Sequence, residues 1–197
     1  MTGDTRLAIF VGGKSARMGT AKGLLATPGG GPPILERLVR LGIERGLDPL
    51  LVGNRSPYLD LAVVATVPSV ADDPVGAGPL GGLRAALYFA RAQGGVAHLI
   101  AVACDMPFVN AEALQALSDA EKAGAVVAPR RADDAPWEPM LARYRVDAVI
   151  PPLDALLKSG GRSFQRLFES LDVRRLASTE AVQHALQDWD TPADVVP

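Results

Sequence analysis

The apolar run Leu7–Val11 stops at Gly12-Gly13, and a stretch of small and basic residues carries the chain from there to Lys22-Gly23. A buried strand that runs into a glycine pair brings backbone N–H groups to the C-terminal edge of a sheet, with no Cβ to block a ligand. Lys14, Arg17 and Lys22, with few acids nearby, make this loop a candidate cradle for a polyphosphate. The bland alternative is a glycine turn followed by a solvated basic loop. Neither of the two commonest phosphate motifs fits the spacing. Gly19 is followed by Thr20-Ala21 rather than by Lys, and Gly12 and Gly13 are adjacent.

Strand-length apolar runs alternate with segments of helical period along the rest of the chain. Ile34, Leu38 and Leu41 recur at helical spacing while Glu36, Arg37, Arg40, Glu44 and Arg45 fill the other face. Pro32-Pro33 suits the start of that helix and Gly46 its end. Strands are expected at Pro49–Val52, Leu99–Ala103, Ala125–Ala128, Met140–Tyr144 and near 173–176. Further helices are expected at 80–93, 111–123 (capped by Asn110), 146–158 and 163–171. Such alternation predicts an α/β fold: a doubly wound, mostly parallel sheet with helices on both faces, in a single domain spanning 1–197 with its core at about 6–195. The longest irregular stretches are 12–33, 66–79 and 130–138, and ligands bind open α/β sheets beyond the strands' C-terminal ends.

With 197 residues, 48% of them hydrophobic and 21% charged, the chain has the balance of a soluble globular domain. Its net charge of −2 gives no overall attraction to nucleic acid or to an anionic membrane. A basic loop in a mildly acidic protein suits a small anionic ligand. The single Cys104 excludes an intrachain disulfide and a multi-cysteine metal site, which fits a reducing cytosol. No apolar leader opens the chain and no 18-residue apolar run occurs, so a cytoplasmic location is expected.

Asp105 is the leading catalytic candidate. It follows an apolar strand directly, which places its carboxylate at the sheet's C-terminal edge, and Pro107 turns the chain away. A carboxylate there can hold Mg²⁺, whose remaining ligands come from water and phosphate oxygens; a turn or capping Asp is the alternative. A second candidate stretch is Asp72-Asp73-Pro74-Val75-Gly76-Ala77-Gly78-Pro79-Leu80-Gly81-Gly82-Leu83. Its glycines would let backbone approach a ligand closely, and glycine with proline also suits a turn before a helix N-terminus; both readings can hold together. His98 and His184 lack metal-ligand partners at useful spacing.

The string G-G-x-S-x-R-M-G-x-x-K over Gly12–Lys22 resembles the signature of MobA-like nucleotidyltransferases, and specifically of the molybdenum cofactor guanylyltransferases. Phe10-Val11 stands where that family usually has Leu-Ala. Ala103-Cys104-Asp105-Met106-Pro107 is similar to its P-C-D-x-P motif, whose Asp binds the metal, and Cys104 then reads as packing. The 72–83 stretch resembles its D…G-P-L-A-G-I element, where backbone and an acid recognise guanine, whose N1–H and N2–H₂ edge a carboxylate can accept in two bonds; one residue fewer separates acid from Gly-Pro-Leu, favouring Asp72 over Asp73. Asn54, in Gly53-Asn54-Arg55, resembles the second Asn of N-A-N-R; base or ribose contact and a plain turn Asn both fit. Asp188-Trp189-Asp190-Thr191-Pro192 resembles N-x-N-T-P with Asp at both Asn positions, leaving Asp190 a second metal ligand or a helix cap. Trp137 offers a stacking face for a pterin or packs in the core, and Arg162 meets a phosphate or solvent.

The resemblance implies transfer of GMP from GTP to Mo-molybdopterin, with molybdoenzymes or their chaperones as recipients. Lys22, Asp105 and Arg17 would then be catalytic. Phe10, Val11, Gly12, Gly13, Lys22, Asn54, Asp72, Gly78, Pro79, Leu80 and Asp105 would bind the nucleotide, and Asp105 and Asp190 the Mg²⁺. Three alternatives stay open at this point: a cytidylyltransferase of the same fold, a sugar-1-phosphate nucleotidyltransferase, and a non-catalytic nucleotide-binding subunit. Gly12-Gly13 and the Gly78–Leu83 stretch favour GTP, and the short C-terminal region speaks against the sugar enzyme.

Overall fold

The computed structural model describes residues 4–11, 21–121 and 123–189. In chain order these form β1 (Thr5–Phe10), α1 (Ile34–Glu44), β2 (Asp48–Val52), β3 (Ser69–Val70), α2 (Pro79–Gln93), β4 (His98–Ala103) and α3 (Ala111–Asp119). There follow β5 (Val126–Ala128), β6 (Leu141–Arg145), α4 (Val146–Lys158), α5 (Phe164–Glu169), β7 (Val173–Arg175) and α6 (Glu180–Ala185). The strands make one seven-stranded sheet in the order β3-β2-β1-β4-β6-β5-β7. β1 pairs in parallel with β2 and β4, with Ala8 opposite both Leu50 and Ala101.

β6 departs from the parallel pattern, running antiparallel to both β4 and β5. The loop 129–140 between β5 and β6 holds no helix and doubles back, with an antiparallel bridge between Arg130 and Trp137.

Alternation along the central strand divides the core. Leu7 and Ile9 pack with Ile34, Leu35 and Leu38 of α1, Leu114 and Leu117 of α3 and Val182 of α6. Ala8 and Phe10 face the other way, toward Leu80, Leu83 and Leu87 of α2, Ile150 and Leu153 of α4 and Leu167 of α5. Burial on both faces is why Leu7–Phe10 is an unbroken apolar run, while Thr5 and Arg6 open the strand as buried polar residues.

α3 ends at Asp119, short of the expected 123. Arg143 of β6 stops it, donating from Nη1 to the carbonyls of Leu117, Ser118 and Ala120 and from Nη2 to that of Glu121. These are carbonyls that a helix end leaves without intrahelical partners.

Candidate active site

The chain winds from β1 outward to β2 and β3, then returns through α2 to place β4 on the other flank of β1. At such a reversal the helices leave in opposite directions and open a crevice at the C-terminal ends of the strands. A cavity of about 260 Å³ lies there. Phe10 and Val11 line it at the end of β1, Val52 at the end of β2, and Ala103, Cys104 and Asp105 at the end of β4; Lys22, Tyr58, Asp72, Gly78, Pro79 and Met140 complete the wall.

Lys22 opens a single 3₁₀ turn, Lys22–Leu24, and its Nζ donates to Oδ2 of Asp105 at 2.9 Å. The two side chains are 16% and 25% exposed, so the pair is half-desolvated yet within reach of a ligand in the cavity. Two backbone bonds fix the Asp105 segment: the Cys104 N–H donates to the Phe10 carbonyl at 3.0 Å, and the Trp189 N–H to the Asp105 carbonyl at 2.9 Å. Trp189 is itself buried, which ties the tail of the chain to the site. Cys104 Sγ lies 3.7 Å from the Tyr58 hydroxyl. Burial, aided by the neighbouring Asp105 charge, pushes its thiol up to about 11, so it stays protonated and packs rather than attacks. Burial raises the Tyr58 hydroxyl in the same way.

Asp72, also lining the cavity, precedes α2. Gly78 is the N-cap of that helix at φ 65°, ψ −154°, a conformation reserved for glycine, and Pro79 follows at its first turn. Close approach explains the next glycine pair: a Cβ on Gly82 would come within 2.9 Å of Val52 Cγ1 and 3.1 Å of Asp72 Oδ1. Burial shifts the Asp72 carboxyl upward. Asp73 is turned away and ion-paired with Arg84.

Two residues expected at the nucleotide sit elsewhere. Leu80 is fully buried in the core between sheet and α2. Asn54 is exposed, and its Oδ1 accepts the Ser56 N–H at 3.0 Å in a local turn rather than lining the cavity. Trp137 is half-buried, with the Arg130 guanidinium 3.9 Å from its ring centroid, and Arg162 donates to the Gly161 carbonyl. Gly12, Gly13, Lys14, Arg17 and Asp190 lie outside the described residues. Tyr58, Val52 and Met140 carry no motif signal and were reachable only through the fold.

Nucleotidyltransferases of this kind generally use a divalent metal. Among the described residues no cluster of three acidic, His or Cys groups could hold one unaided. The single carboxylate of Asp105 on the cavity wall nevertheless fits a hard cation that takes one or two carboxylates and completes its shell from phosphate oxygens and water.

An α/β sheet with a Lys–Asp pair and a second, partly buried carboxylate lining its switch-point cavity suits a nucleotidyltransferase. Residues 7–179 match the MobA-like NTP transferase domain, and the chain belongs to that family. It is similar to a protein of Opitutus terrae named "Probable molybdenum cofactor guanylyltransferase", 35% identical across 95% of this chain and 91% of that protein. It is also similar to the molybdenum cofactor guanylyltransferase of Xanthomonas euvesicatoria pv. vesicatoria, 29% identical across 93% and 88% of the two chains. The crystal structure of molybdopterin-guanine dinucleotide biosynthesis protein A from Archaeoglobus fulgidus shares the fold, with a TM-score of 0.75, 24% identity and coverage of 96% of this chain and 94% of that one. Among the described residues, no helix is long and apolar enough to cross a membrane.

Proposed function

We propose that this chain transfers GMP from GTP to Mo-molybdopterin, forming the guanine dinucleotide cofactor and releasing pyrophosphate. The observation that carries this most is the Lys22–Asp105 pair, 2.9 Å apart on the wall of a cavity that Asp72 also lines. The terminal phosphate oxygen of molybdopterin attacks the α-phosphorus of GTP in line; the bond to the β-phosphate oxygen breaks and pyrophosphate leaves with the electron pair. Such a transfer needs no covalent help from the protein and depends on positioning and charge neutralisation.

Lys22 serves both. Its ammonium re-partners from Asp105 toward the incoming phosphates and follows the charge that grows on them. Asp105 would hold Mg²⁺, which when bound supplies charge neutralisation across the phosphate oxygens. The Gly12 and Gly13 amides and the Arg17 guanidinium, assigned from the sequence alone, would take the α-phosphate and the outer phosphates. Asp190 would be a second carboxylate for the metal. Asp72 accepts the N1–H and N2–H₂ of guanine, and the apolar walls from Phe10, Val11 and Val52 exclude water from the reacting centre. We place this chemistry in the cytoplasm, in keeping with the buried free thiol of Cys104.

Purified chain with GTP, Mg²⁺ and molybdopterin is expected to form the dinucleotide and pyrophosphate in equal amounts. Equal pyrophosphate release with and without acceptor would make the chain a hydrolase and overturn the proposal.

A further inference from the structure

The loop that carries Asp72 is held from behind by charged side chains that the transfer chemistry does not use. Asp72 and Asp73 are adjacent in sequence but face different partners. Asp72 lines the cavity and rests on the first turn of α2, where a Cβ on Gly81 would come within 2.7 Å of the Pro74 carbonyl oxygen. The Asp73 N–H donates to the Gly81 carbonyl at 3.2 Å, and its carboxylate pairs with Nη1 of Arg84.

Arg84 lies further along α2 and does not line the cavity. Its Nε donates to Asp154 Oδ1 of α4 at 2.6 Å, and the other Asp154 oxygen accepts the Tyr88 hydroxyl at 2.6 Å. The guanidinium sits 4.5 Å from the Tyr88 ring centroid, and that of Arg91 4.4 Å from the same centroid. α4 is anchored in the core through Val149, Ile150 and Leu153. One guanidinium thus bridges a loop carboxylate and a fixed helix carboxylate.

Main-chain bonds from the Asp73 N–H to Gly81 and from the Ala77 N–H to Pro74, with Ala77 buried, hold the two ends of this loop, but its outer part packs on nothing: Val75 is 89% exposed. Accepting two parallel hydrogen bonds from a base edge demands a carboxylate placed to about 0.5 Å. The geometry points to Arg84 as a positioning residue for base selection: by tying Asp73 to α2 and α4 it fixes the adjacent Asp72 carboxylate on the cavity wall. This rests on the reading of Asp72 as the base acceptor. With Asp73 65% exposed, the Arg84–Asp73 pair contributes little to global stability, so an Asp73→Asn variant stays folded for measurement.

Affinity for GTP and for ITP, which lacks the 2-amino group, separates the possibilities. Arg84→Gln and Asp73→Asn break the pair from opposite sides. Each is expected to lower the GTP-to-ITP affinity ratio about threefold while kcat at saturating GTP stays within about twofold, and Arg84→Lys recovers part of the ratio. Asp72→Asn should collapse the ratio, and adding Arg84→Gln to it should change nothing further. If Arg84→Gln weakens GTP and ITP equally while Asp72→Asn still collapses the ratio, Arg84 is only a helix contact; the proposal fails and the base assignment stands. An unchanged ratio in Asp72→Asn removes the base assignment and the positioning role with it.

Discussion

Lys22 and Arg143 are both cations drawn out of bulk water, and their partners differ in kind. Arg143 is 3% exposed and is spent on four backbone carbonyls at the end of α3, with distances of 2.6 to 3.3 Å. Desolvation lowers its pKa without removing its charge, and its partners are main chain that cannot leave. Lys22 instead bonds a carboxylate on the wall of a cavity. A ligand bearing negative charge can take one member of that pair and a cation the other. A buried charge satisfied by fixed backbone builds the fold. One satisfied by an opposite charge at a cavity is poised to exchange partners.

Substitutions should separate the two regions cleanly, beginning with the reaction itself. Asp105→Asn keeps the shape and removes the charge, and should lower turnover by roughly 10³-fold or more with GTP affinity and melting temperature near wild type. Mg²⁺-dependent turnover near the wild-type rate would remove Asp105 from the mechanism. At the opposite site, Arg143→Met leaves the Leu117 carbonyl and the three part-buried carbonyls after it without their donor and should cost about 2 kcal/mol in denaturant unfolding, with KM for GTP unchanged in the protein that remains folded. A stable Arg143→Met variant would erase the contrast between the two cations. Lys22→Ala should do the reverse, losing about 2 kcal/mol of GTP affinity with little change in stability. Equal affinity measured by titration would make Lys22 an ordinary surface lysine.

The smallest effect concerns Asp72. Burial raises its carboxyl above the unfolded value, so the folded chain keeps that proton to higher pH. Stability therefore falls as pH rises from the unfolded to the folded value, and the ionised form is unfavourable above it. Asp72→Asn should raise the melting temperature slightly at neutral pH and lose that advantage in acid below the ordinary Asp range. A melting temperature lowered at neutral pH would contradict the sign.

The alternation of apolar runs and helical periods gave the sheet and both helix layers away, because strands buried on two faces are mostly apolar; Arg143 in β6 is an exception, satisfied by main-chain carbonyls. Helix 146–158 was legible despite Pro151 and Pro152, since Val146, Val149, Ile150, Leu153 and Leu157 keep the helical spacing and all are buried. The direction of β6 has no periodic signature; the helix-free loop before it was the available clue. β3, two residues long, falls below what periodicity resolves, and α6 was not expected although α5, equally six residues long, was. At the site, Lys22 and Asp105 are 83 residues apart in sequence, and only the family resemblance put them together before the fold did. The place of Asn54 turned on a local bond to Ser56, and that of Tyr58 on tertiary packing against Cys104; neither is written in spacing.

Base choice tests the account most directly. Pyrophosphate release should be measured with GTP, CTP and ATP in turn, each with and without molybdopterin and in competition. Cytosine and adenine lack the paired donor edge that Asp72 would accept, and a site built on such pairs discriminates by roughly 10⁴-fold. Release should require molybdopterin and GTP together, with CTP and ATP near background. Turnover with CTP equal to that with GTP would contradict the guanylyltransferase assignment, leaving the fold and the Lys22–Asp105 pair to serve a different nucleotide.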